Sequence, residues 1–271
     1  MRKIINKEIQ VCFNVQYSSS TYDKIFWDKV ETGDYEPDVL FTLRRLINQN
    51  TTFLDVGAAV GCMSLISACL GAQVIAYEPF PKYFEGLLEN VRINPEFSNA
   101  IECKQSIVSN FSGRTNLSLA RGKQLSSINY SEIDLALEKR FIPIINLSNE
   151  ILKLSINAKI VIKIDIEGAE YLLLSDLKLL DILNTREATL ILAIHPGFFR
   201  EIKKSNKLVM KISKIIFNLK NFVDNYLLFK RLNQFAIVCR SNDAKVNSAS
   251  KFAIMASVGV YEYNIYFGKL R

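Results

Sequence analysis

Val161-Ile162-Lys163-Ile164-Asp165-Ile166-Glu167-Gly168-Ala169-Glu170 decides how this chain is read. An apolar strand carries a lysine and an aspartate two residues apart, so both side chains project from one face. It runs into a Glu-Gly-Ala-Glu turn, after which the periodicity becomes helical. Three acidic groups and one lysine therefore crowd the end of a buried strand. Burying charge there is costly unless a partner or ligand answers it. The stretch reads as the floor of an active site.

Outward from it, strands and helices alternate. Asp38 to Asn48 has apolar residues at helical spacing, and Thr51 to Val56 reads as a buried strand. The strand breaks at Gly57-Ala58-Ala59-Val60-Gly61, and an apolar helix follows from Cys62 to Leu70, ended by Gly71. Gln73 to Pro79 is a second strand, Pro81 to Asn94 a helix, and Ala100 to Ser106 a third strand. Residues 107–150 are irregular and read as a hairpin and loop laid over a parallel sheet. After the strand at 160–166 come a helix from Ala169 to about Leu183 and a strand from Ala188 to Ile194 that ends at His195. Residues 200–221 have helical spacing, and Asn225 to Cys239 reads as a terminal hairpin. Such alternation predicts an α/β fold with a mostly parallel sheet covered on both faces, whose ligands bind beyond the carboxyl ends of the strands. The expected divisions are an N-terminal extension with a packing helix (1–50), the main domain (51–240) and a tail with no assigned role (241–271).

At 271 residues and 23% charged, the composition is that of an ordinary globular chain. It has no apolar run long enough for a spanning helix, and the N-terminal apolar run is too short for a signal peptide. Five cysteines without Cys-x-x-Cys spacing point to buried thiols in a reducing cytoplasm. Arg200 to Arg271 holds 14 Lys and Arg against 4 Asp and Glu, a net +10, while the first 199 residues hold 20 against 23, a net −3. The basic third reads either as a solvated helix face or as a surface for an anionic polymer or membrane.

The Asp55-x-Gly57-x-x-x-Gly61 turn follows a strand and opens a helix. A dinucleotide site has glycine where this turn has Ala59, and it has no acid before the first glycine. Asp55 suits an ammonium group better than a diphosphate. Glu78, at the end of the next strand, can accept from both ribose hydroxyls. Together the two acids indicate a nucleoside without phosphates, and S-adenosylmethionine fits. Gln105 and Ser106 stand where a neighbour of the adenine would lie, or are ordinary loop residues.

These elements resemble the FkbM family of S-adenosylmethionine-dependent methyltransferases. The matching pieces are Tyr35-Glu36-Pro37, Phe53-Leu54-Asp55-Val56-Gly57-Ala58 with Gly61, Tyr77-Glu78-Pro79, Glu89 to Asn94, Gly122 with Ser126-Ser127, Lys163 to Glu170, and Ile194-His195. The resemblance implies a class I methyltransferase fold, a seven-stranded sheet with one antiparallel strand. It also implies O-methylation, commonly of sugar hydroxyls. Glu36, Asp55, Gly57, Ala58, Gly61, Glu78, Pro79, Gln105, Ser106 and Asp165 are then the expected cofactor residues. This chain departs from the family at Ala59, where asparagine is usual, and at Ala193, where an acid is usual two residues before the histidine.

Transfer to a hydroxyl of high pKa needs a base. Asp165 and His195 are the candidates, with Lys163 and Glu167 shaping the electrostatics; Lys163 is alternatively a purely structural partner of Asp165 or Glu170. Glu170 reads as the first-turn acid of the following helix, favoured by its dipole. No metal is expected, although Asp165, Glu167, Glu170 and His195 have the chemistry to hold magnesium. The acceptor expected is a saccharide. The alternatives are RNA, served by the basic third, and binding of S-adenosylmethionine without catalysis.

Overall fold

The computed structural model describes residues 1–16, 21–117, 140–166, 169–195, 207–240, 244–258 and 261–268. The chain opens with a hairpin of β1 (Arg2–Asn6) and β2 (Val11–Val15), followed by α1 (Thr21–Thr32) and α2 (Pro37–Leu46). Then come β3 (Thr51–Val56), α3 (Cys62–Cys69), β4 (Gln73–Tyr77), α4 (Pro81–Arg92) and β5 (Ile101–Lys104). A small sheet of β6 (Ile107–Ser109), β7 (Gly113–Leu117) and β8 (Arg140–Asn146) leads to α5 (Leu147–Lys153) and β9 (Lys159–Ile164). The chain continues through α6 (Glu170–Leu173), α7 (Leu177–Thr185), β10 (Thr189–Ile194), α8 (Lys207–Leu232), β11 (Ala236–Arg240), α9 (Ala249–Val258) and β12 (Tyr261–Phe267).

Seven strands form the main sheet in the order β5-β4-β3-β9-β10-β12-β11. All pairings run parallel except those of β12, which is antiparallel to β10 and β11. Its two faces are apolar for the reason the sequence gives: Phe53, Val161 and Ile191 point one way, Leu54, Ile162 and Leu192 the other. The first face is covered by the N-terminal extension and α3, through Phe13, Trp27, Val39, Leu40, Leu43 and Leu65. The second is covered by α5, α7, α8 and α9, through Ile151, Leu179, Phe229 and Phe252. Each aliphatic side chain buried this way contributes about 1.5–3 kcal/mol, so the charged strand ends rest on a rigid sheet. Among the described residues no helix is long and apolar enough to cross a membrane.

Three expectations are corrected. The hairpin expected over Asn225–Cys239 does not form: Tyr226, Leu227, Leu228 and Phe229 lie in α8. Asn221, Asn225, Leu228, Phe229 and Leu232 are buried at helical spacing, and that spacing overrides a four-residue apolar run readable either way. The hairpin is instead made by β11 and β12 with α9 between them, so the tail after residue 240 supplies an interior strand of the sheet. The helix expected over Ala169–Leu183 is two helices, because Asp176 caps a new one by accepting from the Lys178 amide at 2.9 Å. Residues 107–117 and 140–146 add a second, three-stranded sheet; Gly122, Ser126 and Ser127 lie outside the described residues.

Candidate active site

The turn after β3 is held tightly against β9. Gly57 has φ +92°, and a Cβ there would stand 2.0 Å from the Asp165 carbonyl oxygen. The Asp165 amide donates to Val56 O at 3.0 Å, locking the two strand ends side by side. The Gly57 and Ala58 amides both donate to Tyr77 O at 3.0 Å. What these two residues offer a ligand is therefore close backbone approach rather than N–H groups. Gly61, the residue before α3, has φ +85°, and a Cβ there would crowd Leu87 Cδ1 at 2.5 Å.

Ala59 also takes a left-handed conformation, φ +49°. An L-residue with a Cβ is strained there, and asparagine or glycine is tolerated better. Ala59→Gly is expected to raise stability by about 0.5–1 kcal/mol, measured as a higher urea midpoint at unchanged slope. A lower midpoint would show the backbone to be unstrained.

At the next strand end both oxygens of the buried Glu78 are engaged. Oε2 accepts from the Ala59 amide at 2.9 Å and Oε1 from the Phe80 amide at 2.8 Å. The carboxylate is thus fixed in orientation and retains acceptor capacity, since it has about four lone-pair sites. β5 stops at Lys104, leaving Gln105 and Ser106 just beyond it. Gln105 Nε2 donates to Pro79 O at 3.5 Å, while the buried Ser106 Oγ has no hydrogen-bond partner among the described residues. Asp55 is 2% exposed and accepts from Ser64 Oγ at 2.6 Å. Burial pushes its carboxyl up to about 6, against the pull of Lys163 and Ser64.

Lys163 and Asp165 share a sheet face, and Lys163 pairs in register with Asp55. The Lys163 ammonium stands 2.9 Å from Asp165 Oδ2 and 3.4 Å from Glu36 Oε2. The second contact is an ion pair too poorly aimed to be a hydrogen bond, which leaves buried Glu36 Oε2 without one among the described residues. Burial opposes the lysine's charge, but Asp165, Glu36 and Asp55 outweigh it and hold its pKa well above the ordinary value. Burial likewise disfavours the Asp165 carboxylate, and contact with Lys163 reverses that and keeps it ionised. Lys163 is the counter-ion that makes a buried acidic site affordable.

His195 follows β10 on the same side. Its Nδ1 lies 3.0 Å from Glu170 Oε1, and its Nε2 lies 3.6 Å from Asp165 Oδ1. A carboxylate can only accept, so a His195 donating to it would carry its proton on Nδ1 and present Nε2 as the basic nitrogen. Glu170 is fully buried, and its Oε1 also accepts from the Ile166 amide at 3.3 Å. The expectation for Glu170 was incomplete: it opens α6, and its carboxyl also orients the histidine. Glu167 lies outside the described residues. Among the described residues no three His, Cys, Asp or Glu side chains stand where they could hold a metal ion. Glu262 on β12 also faces the group, and nothing in the sequence pattern marked it.

Strand order, the single antiparallel strand and a site at the carboxyl ends of β3, β4, β9 and β10 define a class I methyltransferase fold. The model of the methyltransferase FkbM domain matches residues 55–221, most of the chain, and the protein belongs to that family. It is a methyltransferase. No curated protein sequence matches it. Among solved structures it is similar to the methyltransferase FkbM from Methylobacillus flagellatus KT, at 12% identity and TM-score 0.44, over 92% of this chain and 56% of that one. This chain thus spans a little over half the length of that relative. It is also similar to a putative caffeoyl-CoA O-methyltransferase from Staphylococcus aureus, at 14% identity and TM-score 0.42 over 93% of both chains. A putative rRNA methylase from Clostridium thermocellum matches at 12% identity and TM-score 0.41, over 84% of this chain and 92% of that one.

Proposed function

We propose that this methyltransferase uses S-adenosylmethionine to methylate a hydroxyl of a sugar, in a surface glycan or a lipid-linked saccharide. The observation that carries the reading is the Glu170–His195–Asp165 arrangement, an oriented base at the end of the strand next to the one bearing Asp165. O-methylation needs such a base; a binding protein without catalysis does not.

Three features fit the cofactor: the buried Asp55 carboxyl, the Glu78 carboxylate held by two amides, and the buried Ser106 Oγ, which has no partner among the described residues. In this reading Asp55 takes the ammonium, Glu78 the ribose hydroxyls, and Pro79, Gln105 and Ser106 the adenine side. Glu36 contributes from the N-terminal extension, beside Lys163 and Asp55. Bound S-adenosylmethionine supplies a methyl group activated on a sulfonium. His195 Nε2 takes the acceptor's hydroxyl proton, Glu170 stabilises the imidazolium that results, and Asp165 positions the hydroxyl while Lys163 holds Asp165 ionised.

Release of S-adenosylhomocysteine with a panel of saccharides, and with RNA, tests the reading. Turnover of a saccharide supports it; turnover of RNA alone, or of nothing while the cofactor binds, removes it. The Asp55 assignment has its own test. An ammonium binds the ionised carboxyl, so a proton competes with the ligand below the raised value of about 6. Calorimetric titration is expected to show a flat dissociation constant from pH 8 to 6.5 and a rise of about tenfold per unit below 6. A constant affinity down to pH 5 would detach Asp55 from the ammonium.

A further inference from the structure

Glu262 has a place in the sheet that only β12 explains. It pairs in register with Ala193, while Lys163 and Ile164 of β9 pair with Ile191 and Leu192 of β10. Asp165, one residue on, therefore falls in line with Ala193. Side-chain alternation then sets Asp165, Ala193 and Glu262 in one row across three adjacent strands, on the face that carries Lys163. Neighbouring strands are about 4.8 Å apart, so the two acids stand roughly 10 Å apart at the backbone. The register places Ala193, with its methyl group, between them. The row forms a trough with a methyl floor and a carboxyl on each side, two residues before His195.

The acids of the site differ in how they are held. Asp165 has Lys163, Glu170 has the Ile166 amide and His195, and Glu78 has two amides. Glu262 is half-buried and accepts no hydrogen bond and makes no ion pair with any described residue. Its carboxyl is pushed up to about 7 by burial, with Glu36, Asp165 and Asp38 adding to the effect and Lys163 opposing it. Among the described residues the charged groups that face it are Glu36 and Asp38 at the start of α2 and Lys163 and Asp165 at the end of β9, with His195 two residues beyond Ala193, just past β10. A partly buried carboxyl with no partner carries a desolvation cost that a bound hydroxyl would offset.

We propose that Glu262 is an acceptor-binding residue: its carboxyl accepts a hydrogen bond from a second hydroxyl of the sugar whose first hydroxyl faces His195. The inference rests on the proposed sugar O-methylation and adds the requirement that the acceptor be a polyol with two hydroxyls spaced to span the trough. The residue that recognises the sugar thus comes from the chain's last strand.

The test compares wild type, E262Q and E262A on methyl glycosides of glucose, galactose, mannose and rhamnose, and on the monodeoxy analogues of whichever is turned over. Acceptor KM is expected to rise about tenfold in E262A, with kcat and cofactor affinity unchanged. One deoxy analogue should lose about as much on wild type, and no more on E262A, because the missing hydroxyl is the partner of the missing carboxyl. Wild-type KM should also rise below pH 7, while that of E262Q stays flat. Should E262A fold poorly, isosteric E262Q carries the comparison. Turnover by wild type with unchanged KM in the variants, or equal losses on every deoxy analogue, overturns the role of Glu262 alone. No turnover of any glycoside by wild type overturns the sugar reading, and this inference with it.

Discussion

Replacing His195 with alanine is expected to lower kcat by about 10²–10⁴-fold, the range that a positioned general base supplies, and to leave cofactor affinity unchanged. In the proposed reading the cofactor lies at the ends of β3, β4 and β5, whereas His195 follows β10, beyond β9. Asp165→Asn should follow the same pattern, with part of its loss in KM, because it removes the carboxylate that positions the acceptor. Glu170→Gln is the informative companion. Glu170 stands 3.0 Å from His195 Nδ1, and in the proposed mechanism it stabilises the protonated ring without touching the acceptor. Without that negative charge the imidazole is less basic, so the acidic limb of the pH–kcat profile is expected to move to lower pH. A merely structural role would lower kcat without moving the limb. Near-wild-type turnover by the His195 variant would remove the histidine from the mechanism.

Gly57→Ala is expected to cost about 3 kcal/mol or more of folding stability and to abolish cofactor binding in what remains folded. Two causes add. An alanine at φ +92° is strained by itself, and its Cβ would lie 2.0 Å from a backbone carbonyl that cannot step aside without breaking the Asp165–Val56 hydrogen bond. The ends of β3 and β9, which carry Asp55 and Asp165, would have to part. Gly113 supplies the control: a Cβ there meets only Phe111 Cε2, at 4.0 Å, so Gly113→Ala should be close to neutral. A urea midpoint for Gly57→Ala within the error of wild type would contradict the backbone packing described above.

Much of this site was legible because strand alternation and strand ends are local properties. Lys163 and Asp165 two residues apart, Asp55 before a glycine turn and Glu78 before a proline all stand where their strands require. Glu170 was half legible. Its position in the first turn of α6 is local, but its contact with His195 spans 25 residues and depends on β10 pairing with β9. Tyr226 to Phe229 misled because four apolar residues fit either period, and burial on the second sheet face settles which one holds.

The sequence by itself determined the α/β class and the strands β3, β4, β5, β9 and β10, because these follow from local periodicity; it determined the glycine turn after β3, whose backbone other residues tolerate poorly, and, through shared motifs, the family. Tertiary structure alone decided that the tail enters the sheet between β10 and β11, that Glu36 reaches Lys163, and that Glu262 lines up with Ala193 and Asp165. Those facts depend on pairing between segments far apart in the chain, and a strand's own residues carry no record of which neighbour it will meet.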